Sequence, residues 1–174
     1  MADNEGDQVT FNLNEIEKVK KLLANAALDA ADRAKLLGGI GVEMEAQTQE
    51  RFDTQKSPEG NSWKDLAQKT KDYYASNGLL GSRSILVGEG MLRDSITSQV
   101  KGGWSVLVGA TMEYAAVHQF GAEIKPKSAK ALFVPGYGML KKATIPARPY
   151  LGVSAEDTKA IENAVATFLA GNIL

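Results

Sequence analysis

Residues 104–124, W-S-V-L-V-G-A-T-M-E-Y-A-A-V-H-Q-F-G-A-E-I, constrain the fold more than any other stretch of the chain. Val106, Leu107 and Val108 form a short β-branched and aliphatic run, and Gly109 and Thr111 mark a break. Tyr114, Val117, His118 and Gly121 then recur at helical spacing. The pattern predicts a strand that delivers the chain into one or two helical turns, with Gly121 as the C-cap past Phe120. Because two faces of this unit are apolar, it must be enclosed, and the flanking segments are expected to cover it.

Upstream, residues 1–10 read as a disordered acidic arm, while Val9, Phe11 and Leu13 alternate as in a short edge strand or an arm laid on a neighbour. Asn14 stands as an N-cap before a first helix whose stripe is Ile16, Val19, Leu22, Leu23 and Ala26. Asp29 caps a longer second helix reaching toward Gln55, striped by Leu36, Leu37, Ile40, Met44 and Phe52. Gly38, Gly39 and Gly41 interrupt it, each costing about 1 kcal/mol relative to Ala. Close approach of another backbone is the favoured explanation and a break between two shorter helices the other. A turn at 57–62 precedes Trp63, read as a packing anchor, and a short third helix carrying Leu66, Thr70, Tyr73 and Tyr74 up to Asn77-Gly78. Residues 79–90 read as a loop and 90–96 as a turn or two of helix. Residues 97–101 then pair with 104–108 as a hairpin through Gly102-Gly103.

Downstream, residues 125–142 form a long basic loop. Leu132, Phe133 and Val134 are its extended piece and residues 143–145 the return strand, which suggests a tongue. Pro146 and Pro149 stiffen 146–152 around Arg148. Ser154, followed by Glu156 and Asp157, caps a last helix striped by Ile161, Val165, Phe168 and Leu169. The sum is an α+β domain over 11–174, with N-terminal helices and a C-terminal helix packed on a small antiparallel sheet and 125–142 protruding as a hairpin-like loop.

At 174 residues, with 44% hydrophobic and 24% charged residues, one soluble domain with one core is expected. No apolar run approaches the ~20 residues of a membrane span, and the acidic start lacks an apolar h-region, so residence in a cytoplasm and no membrane contact are expected. The net charge of −1 hides a dipole along the sequence. Residues 1–60 hold seven Lys/Arg against twelve Asp/Glu, and residues 101–150 hold seven against two.

No cysteine is present and there is one histidine, so disulfides, thiolate metal sites and multi-histidine sites are excluded. His118 with Glu113 has the residue types of a general base pair, but no nucleophile signature accompanies them, and packing is the preferred role for His118. Gly88-Glu89-Gly90, Gly136-Tyr137-Gly138 and Gly38-Gly39-Ile40-Gly41 each lack the context of a phosphate loop. No catalytic, cofactor or metal site is therefore expected. Lys125, Lys127, Lys130, Lys141 and Lys142, with Phe133 and Tyr137 among them, suit either sequence-blind contact with nucleic acid phosphates or a partner's acidic rim. Arg148, set between prolines, suits either a partner's carboxylate or an intramolecular salt bridge that pins the loop.

Four segments in order, G-N-S-W-K-D-L-A-Q-K-T at 60–70, G-E-G-M-L-R-D-S-I at 88–96, V-L-V-G-A-T-M-E-Y-A-A-V-H-Q-F-G at 106–121 and I-P-A-R-P-Y-L-G-V-S at 145–154, resemble the phage virion morphogenesis family. These are tail completion proteins of Mu-like tailed phages. The resemblance implies a non-catalytic structural subunit of the virion tail or neck, assembled in the host cytoplasm. Such a subunit forms a ring, hexameric in the family, at the head-proximal end of the tail and joins tail tube or sheath proteins to the capsid connector, with genomic DNA in its lumen. Trp63, Tyr114, His118, Phe120, Arg148 and Tyr150 are the structural or interface candidates. The five lysines are the candidates for facing a partner or DNA. A small sequence-nonspecific nucleic-acid-binding protein is the alternative, and a hydrolase centred on His118 and Glu113 a third reading.

Overall fold

A computed structural model describes residues 8–12, 19, 21, 28–79, 84–102 and 105–171. The elements follow in the order β1 (Gln8–Asn12), α1 (Ala30–Thr54), α2 (Gln68–Ser76), α3 (Met91–Asp94), β2 (Ile96–Lys101), β3 (Ser105–Ala110), α4 (Ala115–Phe120), β4 (Ala122–Ile124), β5 (Leu132–Val134), β6 (Gly138–Leu140), β7 (Ala143–Ile145) and α5 (Ala155–Gly171). The architecture is α+β, as the sequence predicts.

The enclosed unit is β3. It lies between β1 and β2, antiparallel to both, with Gln8 opposite Gly109 and Ile96 opposite Ala110. The predicted β2–β3 hairpin is present, with Lys101 opposite Ser105, while Gly103 and Trp104 lie outside the described residues. Alternation along β3 sends Val106, Val108 and Ala110 into the core. Residues 8–12 form the short edge strand that the alternation of Val9 and Phe11 suggests, so residues 8–10 pair with β3 and do not belong to a disordered arm. An extended segment beside a strand satisfies its backbone groups at once, which extends the pairing back to Gln8.

Asp29 caps α1 through its side chain, accepting from Asp32 N at 2.8 Å. The helix runs unbroken through its glycines and buries Leu36, Leu37, Ile40, Met44, Thr48, Arg51 and Phe52. It crosses the sheet at Gly41, where a Cβ would stand 2.5 Å from Ser98 Oγ and 3.4 Å from Val106 Cγ1. Close approach of sheet side chains, not of another backbone, therefore explains Gly41, and neither explains Gly38 or Gly39, which have nothing among the described residues within 4 Å of such a carbon. Of the predicted first helix, Val19 and Lys21 are helical and Val19 is fully buried. Asn14, Ile16, Leu22, Leu23 and Ala26 lie outside the described residues.

α5 packs along α1 with Ile161 and Val165 fully buried and Phe168 and Leu169 against the core. Ser154 and Asp157 form a reciprocal cap, Asp157 N donating to Ser154 Oγ at 2.9 Å and Ser154 N to Asp157 Oδ2 at 2.6 Å.

The tongue is a nested hairpin with different partners from those expected. Leu132–Val134 pairs with Gly138–Leu140, and Ala143–Ile145 pairs with Ala122–Ile124. Two-residue steps over three-residue strands carry too little periodicity to set register from sequence. Nor does the tip protrude freely. Tyr137 Oη lies 2.9 Å from Thr70 Oγ1 on α2, and a Cβ on Gly136 would meet Tyr73 Cβ at 2.7 Å.

Candidate functional site

The residues singled out in sequence meet around one segment, 146–152, which lacks regular structure. Its backbone groups must find side-chain partners, because they are largely buried. Trp63 donates from Nε1 to Pro149 O at 2.7 Å, and its ring stands edge-on to Phe52, which in turn packs on Tyr150. Arg148 donates from Nε to Lys64 O at 2.7 Å and from Nη2 to Asp65 O at 3.2 Å, while its own N–H reaches His118 O at 2.8 Å.

Three polar residues that sequence reasoning did not select complete the attachment. Gln119 donates from Nε2 to Leu151 O at 2.9 Å and accepts the N–H groups of Tyr150 and Leu151 on Oε1 at 2.9 and 3.0 Å. Arg51 donates from Nη1 to Tyr150 O at 2.8 Å and Gly152 O at 3.1 Å, and from Nη2 to Asp157. The Arg51–Asp157 pair is buried, Asp157 being 1% exposed. One signal existed for Arg51: it falls on the apolar stripe of α1, one turn after Thr48 and beside Phe52, where a charge needs a partner. Gln119 carried none, since its partners lie more than thirty residues away, and Asp157 was legible only as part of the Ser154 cap, not as the partner of Arg51.

The placement separates the interface candidates into two groups. Trp63, Arg148 and Tyr150 are buried and structural, whereas Phe120 is 70% exposed and Tyr114 38%. Arg148 does not form the intramolecular salt bridge among the described residues. Among the described residues no carboxylate is within ion-pair distance, and its partners are carbonyl oxygens. Asp65, the nearest acid by its electrostatic effect, is turned to Lys71 Nζ at 2.5 Å.

His118 is half-buried, its ring edge-on to Tyr114 at 5.8 Å between centroids. Nδ1 is sealed from solvent with no hydrogen-bond partner. Burial pushes the imidazole pKa below its ordinary 6.5, and the Arg148 charge pushes the same way. No hydrogen bond or ion pair joins it to Glu113, so the pair that a general base would need is not assembled.

His118, Arg148, Tyr114, Leu66, Leu86 and Met91 help line a pocket of about 370 Å³. Leu86 is one of two non-glycine residues with positive φ among those described, at 62°. The five tongue lysines are all exposed. Lys125 and Lys142 are engaged by Glu123 at 2.9 and 2.6 Å, which holds the Glu123 carboxyl below the usual range. Lys127, Lys130 and Lys141 make no ion pair among the described residues. Beside them, Phe133 and Met139 face each other across β5 and β6 and are 72% and 66% exposed.

The chain is similar to two curated proteins of Haemophilus influenzae. It is 27% identical to Mu-like prophage FluMu G protein 2 over 149 residues, covering 86% of this chain and 87% of that one. It is 24% identical to Mu-like prophage FluMu G protein 1 over 152 residues, covering 87% of each. No solved structure matches it. The phage virion morphogenesis family matches residues 14–170, which include every side chain fastening 146–152. The chain belongs to the phage virion morphogenesis family, and its role lies in building the phage particle.

Proposed function

We propose that the protein is a tail completion subunit that acts without catalysis, closing into a ring at the head-proximal end of the phage tail and joining the tail to the capsid connector. Family membership supplies the class of role, and the resemblance of the four motifs supplies the position in the neck. The observation that carries the ring is a pair of unlike, complementary surfaces. A closed ring of identical subunits needs two different patches per subunit that fit each other. The exposed side of α1 carries Glu50 and Asp53, the latter paired with Arg93 at 3.1 Å, with the 64% exposed Val42, and the tongue carries Lys127, Lys130 and Lys141 with Phe133 and Met139. Charge sets the register of such a contact and apolar side chains supply its affinity.

Imaging of the purified protein, alone and with tail tubes, tests this. Closed rings that cap the tubes are expected, and reversing Lys127, Lys130 and Lys141 to Glu abolishes them while leaving a folded subunit. A monomer that stays monomeric beside tail tubes rejects the reading. The three lysines without an ion pair also favour a second reading, contact with DNA phosphates in the lumen. Free subunit binding to DNA then falls with salt with a logarithmic slope of about −3, one counterion per lysine.

A further inference from the structure

Arg148 is a cation that the fold engages on one side only. Its side chain is buried, at 6% exposure for the residue, yet no carboxylate among the described residues pairs with it. The guanidinium is held on one side by carbonyl oxygens and is open on the other. The two carbonyl contacts to Lys64 and Asp65 use Nε and Nη2 and fix the plane of the guanidinium. Nη1 is left without a partner among the described residues and is not sealed from solvent, so it is available to a ligand. The residue lines the 370 Å³ pocket, whose other walls include Leu66, Leu86, Met91 and Leu92. That volume lies within the range of sites that enclose a small ligand group, about 300–1,000 Å³.

We propose that this pocket receives the carboxylate side chain of a glutamate or aspartate from a second polypeptide, gripped by the unengaged side of Arg148 while flanking apolar residues of the incoming segment rest on Leu66, Leu86 and Met91. The chemistry selects the ligand. A planar guanidinium already oriented by two carbonyls recognises a carboxylate by paired, charge-assisted hydrogen bonds with little further loss of freedom. The apolar walls add affinity for a peptide over a free acid. Glu89, exposed on the rim, has an interaction of its own and does not pair with Arg148. The proposal stands apart from ring formation, since either a neighbouring copy or another virion protein presents such a side chain.

The chain's single histidine makes the test clean, because His118 lies on the pocket wall and gives one set of imidazole resonances. The probes are acetyl-Leu-Glu-Leu-amide, its Gln counterpart and acetate. Saturable shifts of the His118 signals are expected with the Glu peptide, at an affinity at least about 10-fold above the Gln peptide and above acetate. Arg148 also anchors 146–152, so the informative variant is Met91→Glu. Met91 is 53% exposed in the first turn of α3, where a carboxylate is tolerated, so the variant folds. It supplies a resident carboxylate and abolishes the response. Equal response to the Glu and Gln peptides, or none to either, overturns the proposal. Response to acetate equal to that of the Glu peptide removes the polypeptide ligand. A response that appears only after Glu89→Gln overturns it too, by making Glu89 the resident partner.

Discussion

Gln119 binds Leu151 as one strand residue binds another, its carboxamide donating to the Leu151 carbonyl at 2.9 Å and accepting the Leu151 N–H at 3.0 Å. A side chain here takes the place of a missing β-ladder. The same Oε1 accepts the Tyr150 N–H, so one residue satisfies three buried backbone groups.

Replacing Gln119 by Leu keeps the volume and removes all three bonds. Each abandoned buried group costs about 1–3 kcal/mol, so a loss of about 3 kcal/mol or more is expected. Urea unfolding followed by Trp63 fluorescence measures it.

The glycines of α1 split by sign. Gly38→Ala and Gly39→Ala meet nothing and gain helix propensity, so each stabilises by up to about 1 kcal/mol. Gly41→Ala drives a methyl onto Ser98 and Val106 and destabilises by about 1–3 kcal/mol despite the same propensity gain. Thermal melts of the three single variants give the comparison directly.

The buried pair joining α1 to α5 is the third test. Asp157→Ala strands the Arg51 guanidinium and removes the cap on Ser154, and a loss of about 3–5 kcal/mol is expected. The change in urea midpoint reads it, with circular dichroism checking that the fold is retained.

His118 sets the response to mild acid. Its pKa is lower in the fold than in the unfolded chain, so the unfolded chain binds the extra proton and stability falls with decreasing pH from about 6.5 downward. Glu59, Asp65 and Glu123, whose carboxyls are also lowered, lose their contribution only below the usual carboxylate range near pH 4. The melting temperature therefore drops as the pH falls below about 6.5, before the carboxylates titrate, and His118→Gln flattens that slope. Scanning calorimetry of both proteins across this window decides it.

What the sequence revealed follows from the range of the interactions involved. Asp29 and Ser154 were legible as caps because the groups they satisfy lie three residues away. The stripes of α1 and α5 were legible because burial repeats with the helical period, and β2–β3 because a glycine turn joins adjacent runs. The tongue's outline was legible from its prolines and glycines, but its pairing was not, since Ala122–Ile124 and Ala143–Ile145 are too short to show a face. Arg148 was recognisable as a rigidly held cation, yet its carbonyl partners at Lys64 and Asp65 leave no trace in composition. Arg51 escaped attention because a charge in an apolar stripe announces a partner without naming it, and Asp157 is 106 residues away.

The way 146–152 is fastened also fixes when the molecule can form during its synthesis. Trp63, Lys64 and Asp65 wait for residues more than eighty positions later, and Arg51 for residues about a hundred later. A nascent chain that has not yet released this segment from the ribosome holds α1 with a lone guanidinium and exposed aromatic faces. Loops of that length close slowly, so the subunit matures after translation of its last helix, in one concerted step.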